Sequence, residues 1–504
     1  MKPGNGALLA LASETAAQNV VEFNLHRGIP DLKLGSMPPL SRRATYTQEL
    51  ANNITGGGYY AEVSIGEPPQ IVTMVLDTGS SDAWVVSYKA DLCTSARLQQ
   101  QYGDSCGGTY DPRRSSTYSL VDRDGFYIQY LDGGVASGDY ISDSFSIGGI
   151  TIESLQIGYA TQTVRGTGIL GVGFSANEAA LVQYPNIIDE LTAEGLISVK
   201  AYSLYLNDRR SSSGTILFGG IDTEKFIGPL KIMPIIKALT ANYTSFEVAF
   251  TGMGVTYTNG STVAVATGTR GTLPAILDSG TTLSYLPDAM ASKIIRELGA
   301  ITDKVQTGLT FIDCEFLNTE RDLTITFDFN NTAITVPVWE MVLDILGDYQ
   351  SILPSTIPYE RACLFGIQST AGFEDSGAVK NSNFALLGDT FLRSAYVVYD
   401  LEHYQIGMAQ ANVNSTGTSV VELKAGDSGL PSLTGVSEKP VSPTPTSGGD
   451  GGGSIITGGG VATVTVTEKS SAPATVRMSG GGDMLALLAV TTMFALVGST
   501  LVAL

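Results

Sequence analysis

The sequence predicts an all-β chain with few, short helices, folded as two similar lobes related by a pseudo-two-fold axis. Three observations carry this. First, an apolar run ending in Asp, then hydroxyl–Gly–hydroxyl, occurs twice: Val75-Leu76-Asp77-Thr78-Gly79-Ser80-Ser81 and Ile276-Leu277-Asp278-Ser279-Gly280-Thr281-Thr282, 201 positions apart. Second, each copy has its own apolar follower, Ile169-Leu170-Gly171 in the first half and Leu386-Leu387-Gly388 in the second. Third, charged residues make up only 15 % of the chain while Gly numbers 58, a balance that suits a secreted β protein better than a helical cytosolic one. A single Asp-Thr-Gly is ordinary turn chemistry. Two copies in matching contexts are a long-period internal repeat. Facing lobes would bring Asp77 and Asp278 together on the axis.

Taken in order, residues 1–17 carry Lys2, a short apolar core and small residues at Ala16 and Ala17, the pattern of a secretory signal. Residues 18–43 are Pro-containing and end in Arg42-Arg43, so they read as a propeptide cut after Arg43 by a dibasic-specific processing protease. Tyr59 to Gly66 alternates like a strand, Glu67-Pro68-Pro69-Gln70 turns the chain, and Ile71 to Leu76 is the buried strand that delivers Asp77. Gly79 and Gly280 let the backbone turn sharply after each acid. The hydroxyls of Thr78, Ser80, Ser279 and Thr281 can hydrogen-bond the carboxylates. Residues 88–118 read as a loop region. Phe126 to Tyr130, Leu131-Asp132-Gly133-Gly134 and Val135 to Gly138 read as strand, hairpin turn and return strand. Short helices are expected at 184–191 and, as its counterpart, at 287–299. The first lobe spans 44–218 and the second 219–415, with the boundary at the paired glycines Gly219-Gly220.

Asn53, Asn242, Asn259, Asn330 and Asn414 head Asn-x-Ser/Thr sequons, which suit a secretory route. Residues 416–483 form a Ser/Thr/Gly/Pro-rich stalk that cannot bury a core. Residues 484–504 are apolar to the end, the arrangement of a GPI-attachment signal, with Ser470 and Ser471 as candidate anchor residues. The localisation expected is the outer face of the cell membrane or wall.

Composition also excludes. A net charge of −20 would repel nucleic acid. Two His, His26 and His403, leave no room for a His-dependent triad or a multi-His metal site. The four Cys, at 93, 106, 314 and 363, contain no Cys-x-x-Cys, so neither metal nor cofactor is expected. An even count on a secretory route points to disulfides, with three pairings open.

Asp77-Thr78-Gly79-Ser80-Ser81 followed by Trp84-Val85, Asp278-Ser279-Gly280-Thr281-Thr282, and Leu387-Gly388-Asp389-Thr390-Phe391-Leu392-Arg393 together resemble the pepsin-like aspartic proteases over roughly residues 55 to 412. The tail is similar to that of the fungal, membrane-anchored, yapsin-like branch. The resemblance implies a bilobal fold, catalytic Asp77 and Asp278, and loop-linking Thr78 and Ser279. It implies that Ser80 and Thr281 hydrogen-bond the outer carboxylate oxygens. The 126–138 hairpin would be a flap over substrate, with Tyr130, Trp84 and Asp132 as flap and substrate contacts. Leu131 departs from the usual Gly after the flap tyrosine. Asp389 resembles a structural, not a catalytic, acid. One bridge in each half, Cys93–Cys106 and Cys314–Cys363, is the pairing chosen, and the resemblance implies the same.

Two carboxyls a few ångströms apart cannot both ionise cheaply, so one keeps a proton. The pair then offers an acid and a base to one water, the requirement for hydrolysing a peptide bond at acidic pH without a covalent intermediate. The expected function is a monomeric, surface-anchored aspartic endopeptidase acting on peptide or protein substrates. A preference for basic residues is implied by the yapsin-like resemblance and is compatible with Asp132 and the acidic chain. The alternative is a catalytically silent relative serving as a binding or cell-wall glycoprotein; both Asp residues and their Gly neighbours argue against it. A glycosidase also pairs carboxylates but gives no reason for a duplicated motif.

Overall fold

A computed structural model describes residues 21–27 and 58–437, apart from 103, 105, 212, 238–241, 267–270, 306, 319–321, 348, 349, 351, 352 and 376–382. The expected signal segment, Arg43, Asn53, the stalk beyond 437 with Ser470 and Ser471, and the apolar tail lie outside the described residues. Among the described residues no helix is long and apolar enough to cross a membrane.

Strands dominate, as expected. Thr324–Phe329 and Val135–Ile147 alternate between buried and half-buried positions almost residue by residue, the period of a sheet with one face on a core. Gln70–Asp77 and Leu273–Leu277, the strands that carry the two Asp motifs, end fully buried. Each pairs in parallel with its own follower: Leu76 lies opposite Leu170 and Asp77 opposite Gly171, while Leu277 lies opposite Leu387. The repeat in the sequence is therefore a repeat in strand pairing.

The halves are not separate sheets. Ala201–Tyr205 of the first half pairs antiparallel with Ala395–Asp400 of the second, Tyr202 opposite Tyr399. Both strands are buried along their whole length, so both edges need partners for their backbone groups. Among the described residues, a thirteen-stranded sheet thus runs from Phe226–Pro234 through Gln405–Ala411 and this junction into the first lobe, and the second lobe adds a separate eight-stranded sheet built around Glu247–Thr256.

Two segments differ from expectation. Within the stretch read as a propeptide, Val21–Arg27 is a strand of the shared sheet, between Ser213–Phe218 and Tyr59–Ile65. Within the stretch read as stalk, Val420–Glu422 pairs with Gly220–Asp222, Leu423 and Leu430 are buried, and Val436 bridges to Ile227. The folded part therefore extends past 415 to at least 436. The scattered aliphatics Val420, Val421, Leu423, Leu430 and Leu433 supply the apolar surface, and surrounding Gly and Ser masked them in the composition.

The two expected helices are Ile187–Ala193 and Asp288–Glu297. Asn186 caps the first, its side-chain oxygen accepting from the backbone N–H of Ile188 and Asp189 at 3.0 and 3.3 Å. The loop region at 88–118 also holds short helices, Asp91–Thr94 and Ala96–Tyr102. Both disulfides form as paired above, Cys93–Cys106 and Cys314–Cys363.

Candidate active site

The two Asp loops meet where the lobes face each other. The Thr78 N–H donates to Ser279 Oγ at 3.2 Å, and the Ser279 N–H donates to Thr78 Oγ1 at 2.9 Å. Each hydroxyl then donates across the junction to the carbonyl before the other Asp: Thr78 Oγ1 to Leu277 at 2.9 Å, Ser279 Oγ to Leu76 at 2.9 Å. Four reciprocal bonds, all buried, fix one loop against the other.

Each carboxylate is held alike. The Gly79 N–H donates to Asp77 Oδ1 at 2.8 Å and Ser80 Oγ to Asp77 Oδ2 at 2.5 Å. The Gly280 N–H donates to Asp278 Oδ1 at 2.9 Å and Thr281 Oγ1 to Asp278 Oδ2 at 2.5 Å. Asp77 and Asp278 stand on these two cross-linked loops, and both are fully buried. A side chain at Gly280 would meet Asp77 Oδ1 at 2.3 Å, so only glycine lets the second loop approach the first carboxylate this closely. Burial pushes the Asp77 carboxyl above its ordinary value, and the bonds from Ser80, Asp278 and Gly79 pull against this. The proton of such a pair belongs to both acids.

Leu387-Gly388-Asp389 braces the second loop from beneath. The Asp278 N–H donates to the Leu387 carbonyl at 3.0 Å, and the Asp389 N–H to the Thr281 carbonyl at 2.8 Å. Asp389 opens the short helix Asp389–Leu392. Arg393 follows, buried, with Nε on Glu340 Oε2 at 2.6 Å and Nη2 on the Glu340 carbonyl at 2.5 Å.

The expected flap is a hairpin of Ser119–Gln129 and Val135–Ile147, with Gln129 opposite Val135. The Tyr130 N–H donates to the Gly134 carbonyl at 2.9 Å, closing the turn. Trp84 Nε1 donates to the Tyr130 hydroxyl at 2.7 Å. Tyr130 lies close enough to Asp77 for that carboxylate's charge to help push the phenol up, behind the larger effect of burial. Tyr130, Trp84 and the dyad therefore gather in one place. Asp132 is tied at the flap tip by an ion pair with Arg165, so its charge there is compensated.

Sequence reasoning missed three groups. Arg165 has no motif around it. Asp82, next to Ser81, is buried and accepts from Tyr140 and Tyr184 hydroxyls, each at 2.8 Å, and from the Ala179 N–H at 2.8 Å. Glu178 beside it accepts from the Tyr184 N–H at 2.9 Å, and burial raises its carboxyl to about 8. An acid inside a motif already assigned to turn chemistry, and a lone Glu in a loop, give no sequence signal of burial.

These raised carboxyls set a pH dependence of stability. Between the ordinary Glu value and about 8 the native state binds more protons at Glu178 than the unfolded chain does, so stability falls as pH rises through that window. Asp77 and Asp82, raised by burial, add in the same direction. Thermal unfolding is expected to move to lower temperature between pH 4.5 and 8, and Glu178→Gln to recover about 2–4 °C at the upper end. An unfolding midpoint independent of pH in the parent protein would contradict this.

Asn242, Asn259, Asn330 and Asn414 are all exposed. The Asn414 amide donates to Asp208 Oδ2 at 2.8 Å.

Residues 58–411 match the eukaryotic aspartyl protease family. The chain is similar to a probable aspartic-type endopeptidase, OPSB, of Arthroderma benhamiae, with 38 % identity over 78 % of this chain and 76 % of that protein. It is similar to candidapepsin-4 of Candida albicans, 34 % identical over 76 % of this chain and 82 % of that protein. Barrierpepsin of Saccharomyces cerevisiae is 34 % identical over 72 % of this chain and 61 % of its own length. With two cross-linked Asp loops at the lobe junction and the match running through both of them, the chain belongs to the eukaryotic aspartyl protease family.

Proposed function

We propose that the protein is an aspartic endopeptidase in which Asp77 and Asp278 activate one water between them. The observation that carries this reading is a pair of fully buried carboxyls on two cross-linked loops, each oriented by a Gly N–H and a hydroxyl. The ionised member takes a proton from the water, which attacks the scissile carbonyl. The protonated member donates to the carbonyl oxygen, and a tetrahedral intermediate forms. Proton transfer to the amide nitrogen then releases the amine. The pair must hold one proton, so activity is confined to acidic pH and is lost as pH rises through the pair's upper titration. Cleavage of a peptide library at acidic pH, blocked by pepstatin and absent at neutral pH, tests the reading. Full activity at neutral pH or indifference to pepstatin would count against it.

We further propose secretion, removal of residues up to Arg43 by a dibasic-specific protease, N-glycosylation at the sequons, and GPI anchoring near Ser470 or Ser471. These rest on sequence pattern. Val21–Arg27 would then leave the shared sheet, or be exchanged there, when the mature chain forms. Mass spectrometry of the termini of the surface-released protein checks both ends. The mature protein is read as a monomer acting on peptides or proteins. A preference for basic residues at the cut rests on the yapsin-like resemblance; the net charge of −20 is compatible with it, while Arg165 compensates Asp132. The same peptide library would reject it if basic residues were not enriched.

A further inference from the structure

Leu131, which stands where relatives of this fold were expected to have Gly, does not point into solvent. It is buried against Ile276, Phe384 and Leu386, with Tyr285 and Phe373 packed beside them. All five belong to the second lobe, and Ile276 lies two residues before Asp278. Ile276 and Leu386 sit opposite each other on the paired strands that support the second Asp loop. The flap of the first lobe therefore reaches across the cleft and seats an aliphatic side chain in an apolar pocket beside the dyad.

The next residue holds it there. Asp132 pairs with Arg165, whose guanidinium lies 5.2 Å from the Tyr130 ring centroid. Asp132 also accepts from the Gly134 N–H at 2.8 Å, which fixes the turn. A side chain at Gly134 would come within 3.0 Å of the Arg165 guanidinium, so the glycine makes room for it. Arg165 is itself anchored. The Arg165 N–H donates to Thr163 Oγ1 at 3.0 Å, and the Gly166 N–H to Asp104 Oδ2 at 2.7 Å. The Gly107 N–H, beside the Cys93–Cys106 bridge, donates to the Gly166 carbonyl at 2.9 Å. The disulfide loop, the Arg165 segment and the flap tip form one connected support.

We infer that Leu131 is a specificity-determining residue, held in the second-lobe pocket by the Asp132–Arg165 pair, and that it bars bulky apolar substrate side chains from that pocket. Arg165 is a positioning residue. The inference rests on the endopeptidase reading for its substrate arm, but its structural arm does not. A pocket already filled by Leu131 discriminates against a large apolar residue on one side of the scissile bond, while a small or polar residue there leaves the plug in place. This adds a steric reason, separate from charge, for the enzyme to avoid sites flanked by large apolar residues.

The test uses the full-length secreted protein and paired peptides that carry either Ala or Phe at each position flanking the cut. The parent enzyme is expected to show kcat/KM at least about tenfold lower for Phe than for Ala at one of the two positions. Leu131→Gly is expected to remove most of that ratio, Arg165→Gln to reduce it, and Arg165→Lys to retain more of it than Arg165→Gln. Asp132→Asn keeps the acceptor for the Gly134 N–H and isolates the loss of the ion pair. Combined with Arg165→Gln, it should be no worse than either change alone. Amide hydrogen exchange at Tyr130 and Gly134 reports the flap without any reaction and should quicken in both Leu131→Gly and Arg165→Gln. A Phe/Ala ratio unchanged in Leu131→Gly, or exchange unchanged in both variants, overturns the inference. If the parent cleaves no peptide, the endopeptidase reading fails, and hydrogen exchange alone decides whether Leu131 is held.

Discussion

Asp278→Asn is expected to lower kcat for peptide hydrolysis by at least about 10³–10⁴-fold with little change in the unfolding midpoint; Asp77→Ala is expected to lose at least as much. The argument is local. Asn keeps an oxygen to accept from Gly280 and the shape that packs against Thr281, so the reciprocal bonds between Thr78 and Ser279 survive. What disappears is the shared proton. Asp77 then faces an amide that can neither carry the negative charge nor take up a proton, and the water between them has no acid–base pair. KM should change far less than kcat, because the flap and its Trp84–Tyr130 bond are untouched. Steady-state kinetics alongside circular dichroism separate the two. A correctly folded Asp278→Asn that retains a tenth of the parent activity would rule out the two-carboxyl mechanism.

Arg393→Met is expected to destabilise the protein by about 3–5 kcal/mol. Arg393 and Glu340 are almost wholly buried, with side-chain exposures of 1 % and 3 %. Glu340 is held from two directions, by Arg393 and by the Arg209 N–H at 3.0 Å. Removing the guanidinium leaves a carboxylate in the core opposite an apolar side chain, and desolvating that charge is the cost. Replacing both partners, Arg393→Met with Glu340→Leu, should recover a large part of the loss because no charge is stranded. Urea unfolding of the two variants and the parent measures this. Equal losses in the single and double variants would mean that packing, not charge, dominates.

Much of the site was readable because its residues are contiguous. Asp77 to Ser80 and Asp278 to Thr281 each carry the acid, the turn glycine and the orienting hydroxyl within four positions, so local chemistry names their roles before any fold is known. The follower segments were readable for a related reason: a short apolar run ending in Gly, once in each half, matches one strand-pairing rule applied twice. The two helices were readable from a leading Pro and a terminal Gly, again short-range signals.

What escaped the sequence depends on distance along the chain. Arg165 meets Asp132 across 33 residues, and Leu131 meets Ile276 across a lobe boundary; no spacing rule links them. Burial of Asp82 and Glu178 comes from layers contributed by other strands, so their raised carboxyls could not be foreseen from their neighbours. The continuation of strand pairing past 415 was missed because Gly- and Ser-rich composition hides a few aliphatics that gain meaning only when a sheet edge is there to receive them. The sequence by itself determined a doubled β fold and the two acids at its centre, since those are encoded by residues side by side. Only the tertiary structure decided where the flap tip is seated, which charges are neutralised and that strand pairing continues past 415, because desolvation and packing are properties of residues that the chain brings together from far apart.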